Sequence, residues 1–285
     1  MIEEKVVELG TTEQVEDYYA ECWTNRIEAG HNNESLAIHQ GLYTNGDENF
    51  ENAKLNLNNL LAKEFELDKE PGKLILDAGC GVGGSAIYLA NMYPELRVIG
   101  VNISKPQVES ARIFAEKRLN QASVEFYHKD YTHLQMPGEM VDSVYAVESI
   151  CHTPQKQAFY REAHSILKAR GKLVLIDYFM INPPLADSDL EMLHNFQSGW
   201  QIADCHENYL EELAIAGFEN VQLTDLSKDV QKGIARSHNK AIEKLSLKNV
   251  NYSGLMMGHL KACIALRHLV SRKIISYCVL TASKA

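Results

Sequence analysis

The sequence predicts an α/β protein built on a doubly wound parallel sheet. Three observations carry that expectation. From Lys73 onward, short apolar runs alternate with amphipathic helical stretches, the pattern of strands joined by helical crossovers. The first apolar run feeds directly into a glycine-rich turn and then a helix, at Asp77 to Gly84. The chain of 285 residues is long enough for one large α/β domain carrying extra helices.

Taken in order, residues 11–30 read as a helix, with Thr11 and Gln14 in capping-box spacing. The stretch from His31 to Asn49, rich in Asn, Gly and His, reads as loop, and a second helix is expected from Phe50 to Leu67. Leu74-Ile75-Leu76 is a buried strand, and Gly84 to Asn91 opens a helix. Val98 to Val101 is a second strand. Ser104 to Asn120 is a helix with Ser104 as N-cap, Pro106 in the first turn and Gln107 closing a capping box. Strands three to five are expected at Val124–His128, Val141–Val147 and Leu173–Tyr178, with a helix from Thr153-Pro154 to Lys168 between the last two. Asn182-Pro183-Pro184 breaks the order. A helix follows at Asp187–Trp200, another at Asn208–Ala216, then a sixth strand at Val221–Leu223. Helical pattern runs from Lys228 to Arg272, interrupted near Asn249–Gly254, before a last β run at Ile274–Thr281. The expected layout is residues 1–68 as an N-terminal helical lid and residues 69–285 as the core. Cap insertions at about 181–206 and 228–271 would roof the edge where open α/β sheets bind ligands.

Composition narrows the function. Charged residues make up 23% and hydrophobic ones 45%, as in ordinary globular proteins. A formal charge of -10 and the lack of a long Lys/Arg block argue against nucleic acid as partner. No secretory leader and no run of about 18 apolar residues is seen. The six cysteines, Cys22, Cys80, Cys151, Cys205, Cys263 and Cys278, show no C-x-x-C spacing, so reduced thiols in a cytoplasmic protein are expected, with no metal site.

The glycine turn literally satisfies G-x-G-x-x-G at Gly79, Gly81 and Gly84, which a nicotinamide oxidoreductase would also show. Asp77 discriminates: a carboxylate two residues before the first glycine suits a ligand's ammonium and suits a pyrophosphate badly. Asp130, in Lys129-Asp130-Tyr131 after the third strand, is placed to accept from an adenine amino group.

With these residues the chain resembles the class I S-adenosylmethionine methyltransferases. Within them it is similar to the small-molecule group of sterol, tocopherol, terpenoid and macrolide enzymes. The resemblance rests on the Asp77–Gly84 loop, Gly100 to Ser104 with Gln107, Asp130, Glu148-Ser149-Ile150-Cys151-His152, Tyr277 to Leu280, and the upstream Ile38 to Tyr43. It covers residues 15–180 well and the C-terminal third in outline. It implies a Rossmann-like seven-stranded sheet with S-adenosyl-L-methionine as cofactor. Gly79, Gly81 and neighbours would hold the methionine moiety. Asn102 and Ile103 would contact ribose and adenine, Gln107 would lie beside the ribose or methionine end, and Asp130 would bind the adenine amino group. Tyr131 and Val147 complete that set. The family's usual acid at the end of the second strand is Asn102 here, which bonds hydroxyls without charge assistance.

Methyl transfer from a sulfonium is an in-line displacement, so alignment and water exclusion can supply much of the catalysis. The resemblance puts Glu148 and His152 at the methyl-donor end of the pocket. His152 is a candidate general base, against the plainer role of shaping the loop. Glu148 is a candidate for stabilising a cationic acceptor, against packing on cofactor or N-terminal backbone groups. Tyr19, with Tyr18, sits on the helix that the resemblance lays over the site, and His39 and Tyr43, in the loop that follows, are lid candidates of the same kind. Met192, Phe196, Trp200, Met256, Met257 and His259 fall in the cap insertions and either line an acceptor pocket or seal the insertions. The expected reaction is methylation of a lipophilic or amphipathic small molecule, by C-methylation of a prenyl, terpenoid or sterol-like alkene, or by N- or O-methylation of a natural product. Lid helices of this kind sometimes build dimers, so a homodimer is one assembly to test. A catalytically silent cofactor-binding protein is the remaining alternative.

Overall fold

The computed structural model describes residues 13, 15–19, 21, 35–44, 49–119, 123–181, 184–197, 206–248 and 250–285. The Thr11/Gln14 capping pair, Cys22, Cys205 and Trp200 lie outside them. Seven strands form one sheet: β1 Leu74–Ala78, β2 Arg97–Asn102, β3 Val124–His128, β4 Val141–Val147, β5 Leu167–Met180, β6 Phe218–Asp225 and β7 Ile275–Lys284. Their spatial order is β3-β2-β1-β4-β5-β7-β6. The helices are α1 Phe50–Glu64, α2 Gly84–Met92, α3 Lys105–Arg118, α4 Lys156–Ile166, α5 Asp187–Gln197, α6 His206–Ile215, α7 Ser227–Ser246 and α8 Gly254–Ser271, with a 3-10 turn at Ile150–His152.

The sheet is mixed. β1 to β5 run parallel, whereas β7 is antiparallel to both β5 and β6. The first five strands run parallel as the sequence predicts, and the sheet becomes mixed only where β7 enters. The α7–α8 pair returns the chain at the same end of the sheet where β6 leaves it, so β7 inserts between β5 and β6 in reverse. β5 also starts six residues earlier than Leu173, on the heels of α4, through an irregular stretch where Arg170 takes φ 62°.

Alternate residues of the central strands feed two cores. Ile75, Tyr145, Val174, Ile176, Tyr178, Tyr277 and Val279 face one side; Leu76, Ala78, Val144, Ala146, Leu175, Cys278 and Leu280 face the other. That is why these strands read as continuous apolar runs: helices cover both faces.

Helix α3 corrects one local expectation. Ser104 is its N-cap, but its side chain makes no capping bond. The Gln107 side-chain oxygen instead accepts from Asn102 Nδ2 at 2.7 Å. A buried amide at the end of β2 offers a stronger partner than the helix end. Buried Asp189 of α5 accepts from His268 of α8 and from Arg272, which caps that helix, and so ties the first cap insertion to the second.

Candidate active site

A cavity of about 340 Å³ opens over the C-terminal ends of β1, β2, β4 and β5, the crevice where open α/β sheets take ligands. Asp77, Asn102, Val147 and Tyr178 form its floor. Tyr18, Tyr19 and residues 36–40 form one side, and faces of α7 and α8 the other.

The glycine loop is held by short local bonds. The Gly79 and Cys80 amides both donate to Val101 O, at 2.9 and 3.0 Å, and Ser149 Oγ donates to Ala78 O at 2.7 Å. Gly79 has φ 91°, and a Cβ there would lie 2.4 Å from Ser149 Cβ; only glycine fits. Gly81, at φ 54°, meets nothing nearer than Ile38 Cδ1 at 3.6 Å, leaving its backbone open to the cavity.

Asp77 lines the cavity and is 3% exposed. Tyr145 donates to its Oδ2 at 2.7 Å, yet burial pushes its carboxyl up to about 7. A buried carboxyl bordering a cavity, with no cation in ion-pair distance among the described residues, fits a ligand's ammonium, which would return it to the charged form. Asn102 and Gln107 are buried on the adjoining wall. The Asn102 amide spans the Gln107 oxygen, Gly81 O at 3.4 Å and, as acceptor, the Ser104 amide at 3.2 Å. Ile103, Tyr131 and Val147 also line the cavity, and the Tyr131 hydroxyl donates to Ser149 O. Asp130 does not reach the wall: its Oδ1 accepts from the Thr132 amide and hydroxyl at 2.8 and 2.7 Å.

Glu148 follows β4 with φ 47°. Its Oε1 accepts from the Gln40 amide at 2.7 Å and from the Tyr277 hydroxyl at 2.8 Å, and desolvation pushes the carboxyl up to about 8. It thereby clamps segment 35–40 to the sheet. His152, 5% exposed, shares a 2.5 Å hydrogen bond through Nε2 with the Tyr19 hydroxyl, and its buried Nδ1 has no partner among the described residues. Burial, with Lys156 and His259 adding, holds this imidazole neutral and down at about 3.

Two features have no local signal in the sequence. The Tyr18 hydroxyl pairs with His259 Nδ1 at 2.6 Å, so two tyrosines of one helical turn each meet a histidine from a different element. Arg236, Lys240 and Lys244 of α7 also line the cavity. Of the cap residues, Met256 and His259 reach the wall, whereas Met192 and Phe196 pack into the core and Met257 stays off the wall. Among the described residues no helix is long and apolar enough to cross a membrane.

Comparison with known proteins agrees with this geometry. Residues 76–175 match the family described as "Methyltransferase domain". Phosphoethanolamine N-methyltransferase 3 of Arabidopsis thaliana is 32% identical over 64% of this chain and 36% of its own, so the chain spans about a third of that relative's length. The 27-O-demethylrifamycin SV methyltransferase of Amycolatopsis mediterranei is 30% identical over 67% of this chain and 70% of its own. Among solved structures, the [4+2]-cyclase SpnF shares the fold with a TM-score of 0.79, at 24% identity over 96% of this chain and 97% of its own. The glycine loop, the buried Asp77 and the reach of these matches together mean that the chain belongs to the class I S-adenosylmethionine-dependent methyltransferases, with S-adenosylmethionine as its cofactor.

Proposed function

We propose that the protein transfers a methyl group to a small lipophilic or amphipathic metabolite, and that Asp77, Gly79, Gly81, Asn102, Ile103, Gln107, Tyr131 and Val147 hold the cofactor. One observation carries the reading: the Asp77 loop and the Tyr18, Tyr19, His152, His259 cluster wall one enclosure. S-adenosylmethionine, when bound, supplies an electrophilic methyl group on a sulfonium.

The chain's own residues then have three tasks. Asp77 holds the cofactor's ammonium. Tyr18 and Tyr19, as part of a lid formed by residues 1–68 and the caps at about 181–206 and 228–271, exclude water and fix the acceptor against the methyl group. His152, neutral and weakly basic, cannot strip a ground-state alcohol. It can take the far more acidic proton released once an alkene or a neutral oxygen has been methylated, with Tyr19 as relay. Glu148 serves the lid rather than the reaction, since both its bonds go to protein groups. Asp130 shapes the loop below the adenine end, and turns from Thr132 to the cofactor only if that turn opens.

C-methylation of a prenyl, terpenoid or sterol-like alkene suits this weak base best. The relatives' names add a rifamycin-type hydroxyl and phosphoethanolamine nitrogen as further acceptors to screen. On the same reading the protein works in the cytoplasm, and light scattering decides between a monomer and the homodimer that lid helices sometimes build. The deciding experiment is calorimetric titration with S-adenosylmethionine, S-adenosylhomocysteine and NADH, followed by mass spectrometry of acceptor mixtures with an isotope-labelled methyl donor. Micromolar cofactor binding and label transfer support the reading. Binding without transfer across the panel points to a silent cofactor-binding protein, and preference for NADH overturns it.

A further inference from the structure

We infer that the acceptor carries a phosphate-type anionic group, gripped at the cavity rim by Arg236, Lys240 and Lys244 of α7 while its apolar body lies deeper in the cavity. The inference rests on the methyltransferase reading for the word acceptor, but not for the binding site.

All three cations line the cavity. Their spacing of four residues puts them on one face of α7, along about 12 Å of helix. Like charges so placed repel one another. No acid lies within ion-pair distance of Arg236 or Lys244 among the described residues, although the chain has 38 acidic residues against 28 basic ones. The Arg236 guanidinium sits 4.3 Å from the centre of the Phe50 ring, itself part of the wall. That contact fixes the group in place without neutralising it.

The wall beside this stripe is of a different kind. Ala241, Met256, Leu260 and Cys263 form a small apolar cluster between α7 and α8, and all four face the cavity. A ligand matched to both zones has an apolar body and an anionic head. A phosphate or diphosphate, with several oxygens and more than one charge, can engage an arginine and two lysines together, which a single hydroxyl or amine cannot. Burial raises the deep carboxyls of Asp77 and Glu148, to about 7 and about 8, and an ammonium held by Asp77 offsets its charge, so they do not repel such a ligand strongly.

The test is calorimetric titration of the full chain, with and without saturating S-adenosylhomocysteine, using farnesyl diphosphate, farnesol and inorganic pyrophosphate as probes. Wild-type protein is expected to bind farnesyl diphosphate at least about tenfold more tightly than farnesol, with an advantage that shrinks as salt rises. The triple variant Arg236→Gln, Lys240→Gln, Lys244→Gln is expected to lose that advantage and keep its affinities for farnesol and S-adenosylhomocysteine. The proposal is overturned if the advantage is absent, if it survives in the triple variant, or if neither farnesyl diphosphate nor pyrophosphate binds at millimolar concentration. It is overturned equally if the triple variant loses S-adenosylhomocysteine, because the stripe would then serve the cofactor. Failure of S-adenosylhomocysteine to bind the wild type sinks the methyltransferase reading instead, and the diphosphate preference, read without it, still decides this one.

Discussion

The Tyr19 hydroxyl and His152 Nε2 lie 133 residues apart in the chain and 2.5 Å apart in the fold. This bond joins the N-terminal helical segment to the loop after β4, directly over the cavity. Removing the hydroxyl with Tyr19→Phe keeps the ring packing on Tyr18 and His152. The expected result is a kcat lowered at least about tenfold, with the S-adenosylhomocysteine affinity within about threefold of wild type. A change in KM alone would mean that the pair only closes the lid.

Asp77 makes cofactor binding depend on pH. Burial pushes its carboxyl up to about 7, so below that pH it must release a proton before facing an ammonium. Affinity is expected to weaken by about tenfold for each pH unit below 7 and to level off above it. Titration of S-adenosylhomocysteine between pH 5.5 and 8.5 checks this. Asp77→Asn should bind weakly with no such slope; a wild-type affinity flat across the range contradicts the assignment.

How much of this was legible follows from range. The Asp77–Gly84 loop is one continuous strand–turn–helix, so its glycines and its acid stand next to each other in the sequence. The alternation of Leu76 with Ile75, or of Tyr277 with Cys278, is equally local. The reversal of β7 is not, because antiparallel entry depends on where α7 and α8 deliver the chain. The Tyr18–His259 bond, across 241 residues, has no local signature. The four-residue spacing of Arg236, Lys240 and Lys244 is common to many charged helix faces, and these residues become a wall only because α7 folds over the cavity. Gln107 and Asp130 show competition between partners: each has the residue type expected of a site or a cap, and each spends its bonds on a neighbour, Asn102 or Thr132.

The two loop glycines should differ in what they tolerate. Gly79→Ala combines a positive φ with a Cβ driven onto Ser149, and is expected to destabilise by about 2–4 kcal/mol. Gly81→Ala meets the same backbone strain without a clash, at about 1–2 kcal/mol. Thermal denaturation should show the larger drop at Gly79, at about 2–4 °C per kcal/mol for a chain of this size. Equal drops would mean that Ser149 moves aside.

Glu148 should make the free protein less stable as pH rises. Its carboxyl titrates near 4.5 when unfolded and about 8 when folded, so between those values the folded state binds the extra proton. Stability is therefore fully present below about 4.5, declines as pH climbs, and is lowest above about 8. Buried Asp77 and Asp177, also pushed up, act in the same direction, while neutral His152 acts oppositely and only below about 6.5. Glu148→Gln removes one of these protons and retains an oxygen for the Gln40 amide and the Tyr277 hydroxyl. Between pH 6.5 and 8.5 the variant's Tm should fall less steeply than the wild type's, and at pH 8.5 it should be the more stable of the two. Parallel Tm curves would show that Glu148 is already ionised in the folded protein, with the Gln40 amide and Tyr277 hydroxyl stabilising its charge against burial.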